Sequence, residues 1–362
     1  LKLYLITLAA FPFYSAESIH LAMFGKAMSK LCDFELLTPM KLWRRETWSF
    51  NLKKYYGIDV SDINQRKLLQ VSPAGKSFVK RAIAIAANNG GLVYARQQVV
   101  AEEALKNSVG FVWEIHALPS AAGLKLIDSG LKAGLLKKVV VISHALKNDI
   151  VDSLGLEIAE SILVAPDAAD DSKFSYCTKR RGKLVVGYVG SAYPGKGAEI
   201  ILPLARRCPD VEFLFYGASK NDVAIKGYGA VPDNLIFKGK VPYSEIPACF
   251  DEFDIALLPN QPKVIVANGD DIGKYTSPMK LFEYMAAGKV IIASDLDIIK
   301  EVLTHRYTAL LVGHNDVDAW KQSLKEVLND SELAGLLSVN ARSEFSEKYT
   351  YSARARLIIN SL

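Results

Sequence analysis

The sequence predicts an α/β protein of two domains, each a parallel β-sheet covered by helices on both faces. Three observations point there. Short runs rich in Val, Ile and Leu alternate along the chain with segments of helical period. These runs are continuously apolar rather than alternating, as strands buried on both faces are. The chain has 362 residues, enough for two domains at about 150 residues each. Half of the residues are apolar and 23% are charged, which excludes collagen-like, coiled-coil and wholly disordered chains. No run approaches the ~20 apolar residues of a membrane-spanning helix.

Taken in order, strands are expected at 3–8, 34–37, 93–95, 111–115, 139–143 and 162–164 in the first half. In the second half they are expected at 184–189, 212–216, 235–238, 255–258, 290–293 and 309–312, with amphipathic helices at 198–208, 279–287 and 318–328. The opening LKLYLITLAAFPFY reads as a buried first strand and not as a signal peptide: it carries one charge, Pro12 interrupts it, and no small-x-small cleavage site follows. The pattern restarts after Pro166. Residues 1–166 therefore form one Rossmann-like domain, the polar stretch 167–183 a linker, and 184–350 a second such domain. Residues 351–362 form a last helix that can cross back to the first domain. Two such domains facing each other would leave a central cleft between the carboxyl ends of their sheets, where ligands of open parallel sheets bind.

The net charge of +5 sits in the first half, where residues 1–165 hold 20 Lys and Arg against 14 Asp and Glu. This excess is too mild for a nucleic-acid binder, and no RNP, zinc-finger or basic-helix signature accompanies it. An anionic membrane or an anionic substrate is the partner it leaves open. The cysteines at 32, 177, 208 and 249 contain no CxxC pair, so neither a disulfide framework nor a zinc site is expected, and a reducing cytoplasm fits.

The strongest local signal is YTSPMKLFEYMAAGKVIIAS, residues 275–294. Ser277 is suited to cap a helix and Pro278 to open it, so the helix should start at Met279 or just before, presenting unpaired N–H groups to an anion. Lys280 in the first turn adds positive charge. Glu283 lies less than two turns in, able to accept hydroxyls of a ligand whose phosphates sit at the helix start. A surface Lys–Glu pair would read the same from these residues alone. The irregular connection before it, 259–276, tips the balance, because so long a loop usually serves a ligand. A second signal, GYVGSAYPGKG at 187–197, follows the first strand of the second domain and ends with Lys196 at the start of a helix. It is neither a Walker A nor a GxGxxG loop.

The order GYVGSAYPGKG, FYGASK, FKGKVPYSEIPACFDEFDIALLP, SPMKLFEYMAAGKVIIASD and YTALLVGHND resembles the donor half of glycosyltransferase family 4, enzymes of the GT-B architecture. FVWEIHAL and SILVAPDAAD in the first half echo the same family. The resemblance implies that Lys196, the Ser277–Lys280 turn (Ser277, Pro278, Met279) and the Lys280 side chain hold the diphosphate of a UDP- or GDP-sugar. It implies that Glu283 takes the ribose hydroxyls, that Gly190, Ser191 and Gly217 lie along the donor, and that His116 faces the transferred sugar. The sequence departs from the family in three places: Tyr275 stands where a Glu is usual, Ser191 where an Arg is usual, and FPFYSAES at 11–18 where the first loop usually has glycines. Asp270, Asp271 or the backbone of Ile272, Gly273 and Lys274 could supply the sugar contact instead, and Lys274 the missing charge.

The implied chemistry is retaining transfer to a hydroxyl of a glycan or lipid-linked acceptor in envelope polysaccharide or glycoconjugate synthesis, without metal and without a cofactor. The acidic clusters at 251–254 and 295–297 read as a turn and a strand-end cap. On the acceptor side, residues 41–56 (KLWRRETWSFNLKKYY) mix aromatics with Lys41, Arg44 and Arg45 around Trp43, against one acid. That composition suits the inner face of an anionic membrane or a solvated amphipathic helix equally. The rival functions are a sugar-nucleotide epimerase or phosphorylase of the same architecture, and a non-catalytic nucleotide-sugar-binding protein.

Overall fold

A computed structural model describes residues 1–174, 184–224, 230–265, 269 and 271–362. The chain divides into two compact units, Leu1–Pro166 with Tyr351–Leu362, and Asp167–Thr350.

The first unit holds β1 (Lys2–Ile6), β2 (Asp33–Lys41), β3 (Gln65–Gln70), β4 (Leu92–Ala95), β5 (Phe111–Ile115), β6 (Leu136–Val141) and β7 (Ile162–Val164). They form one parallel sheet in the order β3-β2-β1-β4-β5-β6-β7. The opening run is β1, with residues 3–6 buried. β3 is absent from the strands expected above. Its sequence, QRKLLQ, reads as polar because it is an edge strand paired to β2 alone, where charged side chains reach water. The 41–56 stretch is not one amphipathic helix. It is the end of β2, a 3-10 turn at Arg45–Trp48, and a short helix at Leu52–Tyr56 whose Leu52, Tyr55 and Tyr56 are buried. The last helix, Tyr351–Asn360, belongs to this unit and packs on the Ala16–Ser29 helix.

The second unit holds β8 (Val185–Val189), β9 (Glu212–Tyr216), β10 (Leu235–Gly239), β11 (Ile255–Leu258), β12 (Val290–Ser294) and β13 (Leu310–Val312). They are all parallel, in the order β10-β9-β8-β11-β12-β13. Helices appear where the period placed them, at Ala198–Arg207, Met279–Ala286 and Val317–Asn329. Of the polar stretch 167–183, residues 175–183 lie outside the described residues. The rest is packed rather than free: Ala168, Ala169 and Phe174 are buried, the Ala169 N–H bonds the Tyr349 carbonyl, and the Phe174 ring stacks on Phe250 at 5.2 Å.

In both sheets the strand order reverses beside the first strand, between β1 and β4 and between β8 and β11. At such a point the connecting helices leave toward opposite faces, and the loops part to leave a crevice at the carboxyl edge. Gly187, the first residue of the GYVGSAYPGKG segment, sits inside β8, within the strand expected at 184–189. A Cβ there would lie 2.2 Å from the Phe253 ring, which is itself buried. Gly187→Val should therefore overpack the sheet and cost about 1–3 kcal/mol, read as a lower urea midpoint. An unchanged midpoint would show that the ring can move aside.

Candidate functional site

At the switch point of the second unit, the loop after β8 (190–197) and the loop after β11 (259–276) are bonded to each other. The Gln261 N–H donates to the Gly195 carbonyl at 2.9 Å and the Ile265 N–H to the Pro194 carbonyl at 3.2 Å. The approach is too close for side chains. A Cβ on Gly195, whose φ is +82°, would stand 1.9 Å from the Lys263 carbonyl oxygen. Gly217, at φ +102°, follows β9, and a Cβ there would stand 2.3 Å from the Gly190 carbonyl oxygen. Glu199, in the first turn of the Ala198–Arg207 helix, accepts the Gly195 and Gly197 N–H groups and so fixes the bend that carries Lys196.

Lys196 and Lys280 come together here. The Lys280 ammonium donates to the Tyr188 hydroxyl at 2.9 Å and lies 4.2 Å from the centre of that ring. The Tyr188 hydroxyl in turn reaches the carbonyls of Lys196 at 2.8 Å and Ser191 at 3.0 Å, so Ser191 contributes its backbone. Among the described residues neither lysine makes a salt bridge. Burial pushes the Lys280 ammonium well below the ordinary lysine range, and the charge of Lys196 pushes it further; Glu283 and Glu199 oppose this from a distance. Burial lowers Lys196 as well. Two partly buried lysines that act on each other's charge form a site for an anion with more than one charge.

The helix that carries Lys280 begins as expected at Met279, but Ser277 does not cap it. Pro278 is the residue before the first turn, without a side-chain cap bond, and the Ser277 hydroxyl accepts the Asp167 N–H at 3.0 Å. The expectation failed because Ser277 lies one residue too far back to reach the first-turn donors. The consequence favours an anion, since among the described residues no side chain caps the N–H groups of Met279 and Lys280.

Glu283, 6% exposed, points inward from the second turn. Burial pushes its carboxyl up to about 7, while Lys173, Tyr243 and Lys280 pull it back. Lys173 lies over the Tyr243 ring at 4.8 Å.

The rest of the long loop is organised by Asp271. Its Oδ1 accepts the Val264 and Gly273 N–H groups, both at 2.9 Å, and these bonds hold its carboxyl below the ordinary range. Asp271 is thus a loop staple, with Ile272 bonded through its N–H to the Val264 carbonyl. Tyr275 ends a 3-10 turn at Gly273–Tyr275, with the exposed Lys274 stacked on its ring at 5.4 Å. Asp270 lies outside the described residues. Of the other acidic clusters, Asp254 accepts the Val185 N–H, and Asp295 and Asp297 pair with Lys300.

His116 follows β5 in the first unit, with Nε2 2.6 Å from Oε1 of the buried Glu114. Lys41, Trp43, Arg44 and Arg45 are also in that unit. The Lys41 ammonium donates to the Leu8 carbonyl at 2.7 Å, and the Arg44 guanidinium lies over Phe13 at 4.9 Å, leaving Trp43 exposed.

Sequence reasoning missed Tyr188, Glu199, Tyr243 and Lys173. Only Glu199 left a signal, an acid in the first turn of a helix. Tyr188 meets the site through sheet register, and Tyr243 and Lys173 from a 3-10 turn and a connecting segment distant in sequence, which no local pattern carries.

Residues 183–330 match the family model for glycosyl transferases group 1. Two curated relatives are similar. A phosphatidyl-myo-inositol mannosyltransferase of Mycolicibacterium smegmatis is 26% identical over 222 residues, 59% of this chain and 53% of the relative. A putative teichuronic acid biosynthesis glycosyltransferase of Bacillus subtilis is 29% identical over 174 residues, 48% of this chain and 38% of the relative. The matched region thus spans about half or less of their length. Among solved structures, Anabaena HepE in complex with UDP superposes with a TM-score of 0.74 at 15% identity, covering 100% of this chain and 99% of that one. Sucrose-phosphate synthase from Thermosynechococcus elongatus gives 0.72 at 15%, covering 99% and 97%. The fold is that of the GT-B glycosyltransferases, two Rossmann-like units.

The raised Glu283 carboxyl makes a test of the site's electrostatics. The native state binds this proton more tightly than the unfolded chain, so stability falls as pH rises from the ordinary glutamate range through about 7. Glu283→Gln removes that loss. Its melting temperature relative to wild type should rise across that window, and a constant difference would show that the carboxyl is not held proton-bound.

Proposed function

We propose that this chain, with a glycosyl transferases group 1 segment on a GT-B fold, is a retaining, metal-independent glycosyltransferase. It would move a sugar from a UDP- or GDP-sugar to a hydroxyl of a glycan or lipid-linked acceptor in envelope polysaccharide or glycoconjugate synthesis. The observation that carries the reading is that Lys280, in the first turn of a helix without a side-chain cap, meets the loop bearing Lys196 through the Tyr188 hydroxyl.

Departure of a nucleoside diphosphate builds negative charge on its phosphate oxygens while the sugar becomes oxocarbenium-like. Cations and N–H dipoles already fixed where that charge develops lower the barrier without reorganising. Lys196, Lys280 and the Met279 and Lys280 N–H groups would serve the diphosphate, and Glu283 the ribose. Retention follows if the incoming hydroxyl attacks on the face the diphosphate leaves, giving its proton to the departing phosphate. The ammonium pair supplies the charge a metal ion would otherwise supply. HepE, with the same fold, has been solved with UDP-glucose, which supports a uridine donor.

The acceptor side rests on the surface at 41–56. Leu42, Trp43, Trp48 and Phe50 are each about half exposed, beside Arg44, Arg45, Lys53 and Lys54. Apolar side chains ringed by basic ones suit the headgroup zone of an anionic membrane, and no helix among the described residues is long and apolar enough to cross one. The reading places the enzyme at the cytoplasmic face of the membrane, and the phosphatidyl-myo-inositol mannosyltransferase relatives suit a lipid acceptor.

Lys196→Ala and Lys280→Ala should each lower turnover by about 10²-fold or more, measured with whichever UDP- or GDP-sugar raises the melting temperature. Full activity in both would sink the clamp, as would loss of wild-type activity in EDTA. Sedimentation with anionic liposomes should show binding that weakens with salt and in an Arg44→Glu/Arg45→Glu variant. Indifference of the wild type at low salt would remove the membrane from the reading.

A further inference from the structure

The first unit contains a buried charge cluster that the donor site does not use. Glu114, on β5, is fully buried. Its Oε2 lies 3.1 Å from the Arg354 guanidinium and accepts the Tyr94 hydroxyl. Its Oε1 lies 3.2 Å from Arg96 Nε, 3.6 Å from His20 Nε2 and 2.6 Å from His116 Nε2. Burial alone would raise this carboxyl, but Arg354 and Arg96 outweigh it and hold the group well below the ordinary range. Glu114 is therefore a carboxylate, able only to accept.

That fixes the neighbouring ring. Arg96 Nη2 also lies 2.9 Å from His116 Nε2, and a guanidinium can only donate. The two contacts make opposite demands on one nitrogen. A lone pair facing a carboxylate at 2.6 Å is repulsive, whereas an N–H there forms a short charge-assisted bond, and this closer contact to a full negative charge outweighs the longer one to Arg96, whose Nε stays in an ion pair with the same oxygen at 3.2 Å. The proton belongs on Nε2. Neutral His116 then carries a lone pair on Nδ1, which makes no hydrogen bond among the described residues, and the side chain is about one-third exposed.

We propose that Glu114 is a positioning residue that holds His116 as its Nε2–H tautomer, so that Nδ1 is presented to accept a hydrogen bond from a sugar hydroxyl. Arg354 extends the arrangement to the end of the chain. It sits on the Tyr351–Asn360 helix and also donates to the carbonyls of Ala165, at 3.3 Å, and Pro166, at 2.9 Å. Docking of that helix supplies one of the two guanidiniums that keep Glu114 ionised, and thereby sets the tautomer of a histidine far away in sequence. The tautomer is a statement about this unit alone; the sugar hydroxyl rests on the function proposed above.

Long-range proton–nitrogen correlation spectra of the wild-type protein, recorded where His116 is neutral, should show Nε2 protonated and Nδ1 bare. An Nδ1–H tautomer would overturn the proposal. This measurement needs no substrate, so it stands apart from any failure to find activity. Glu114→Gln should shift the population toward Nδ1–H and lower kcat by roughly 10-fold or more, with UDP and GDP affinities by calorimetry unchanged. UDP-glucose and GDP-mannose serve as probes. Loss of their hydrolysis without acceptor assigns the hydroxyl to the transferred sugar; loss of transfer alone assigns it to the acceptor. A Glu114→Gln protein that keeps both rates would overturn the role, and if the variant fails to fold, the wild-type spectrum still decides.

Discussion

The meeting of Lys280 with Tyr188, whose hydroxyl also bonds the loop bearing Lys196, is the constraint around which the site of the second unit is built. Lys280 donates a hydrogen bond to the Tyr188 hydroxyl and makes a cation–π contact with its ring, together worth about 1–3 kcal/mol. Taking an ammonium out of water costs several kcal/mol, and a second one beside it adds repulsion. The internal contacts do not close that gap, so an anion bound at the two lysines would offset what remains. The parts that hold the two lysines in place are the ones local sequence would call unremarkable: Tyr188, bonding the carbonyls of Lys196 and Ser191; Glu199, closing the bend; and glycines at 190, 195 and 217, without which the loops could not approach.

The first unit solves the reverse problem. Its buried charge is a single carboxylate, and it is surrounded by two guanidiniums, a phenol and two imidazoles. A buried ion that is fully partnered organises structure, and one that is not organises binding. Glu114 belongs to the first kind: it ties β4, β5 and the terminal helix together and dictates which nitrogen of His116 keeps its proton. Removing one partner would leave a buried charge uncompensated, which costs more than the pair contributes when intact. The return of residues 351–360 to this unit thus has an electrostatic reason beyond packing.

Much of the fold was legible in sequence because parallel strands buried on both faces leave continuous apolar runs. β1, β5, β9 and β12 could hardly read as anything else. β3 escaped because an edge strand has no such obligation. The 41–56 stretch misled because composition does not reveal where β2 ends, and its register with β3 carries it through Lys41. The Met279 helix start was legible from its proline, yet the serine before it serves Asp167, a partner 110 residues away. Glu283 and Lys280 could be named from their spacing on one helix. Tyr188 could not, since it reaches Lys280 only because β8 lies next to β11 at the switch point, and strand order is a property of the whole sheet.

Two of the positions at which the sequence departs from the family it resembles, Tyr275 and Ser191, have a common physical reading. Tyr275 replaces an acid and Ser191 replaces a base, so together they leave the formal charge around the helix start unchanged. What changes is its distribution. Without the acid, no carboxylate at 275 competes with an anion for Lys280. Without the arginine, the positive charge rests on two partly buried lysines, where each acts through a lower effective dielectric than an exposed guanidinium would. Tyr188 then takes on a part that composition could not foretell: its hydroxyl fixes the ammonium in place, and its backbone strand fixes the loop that bears the other.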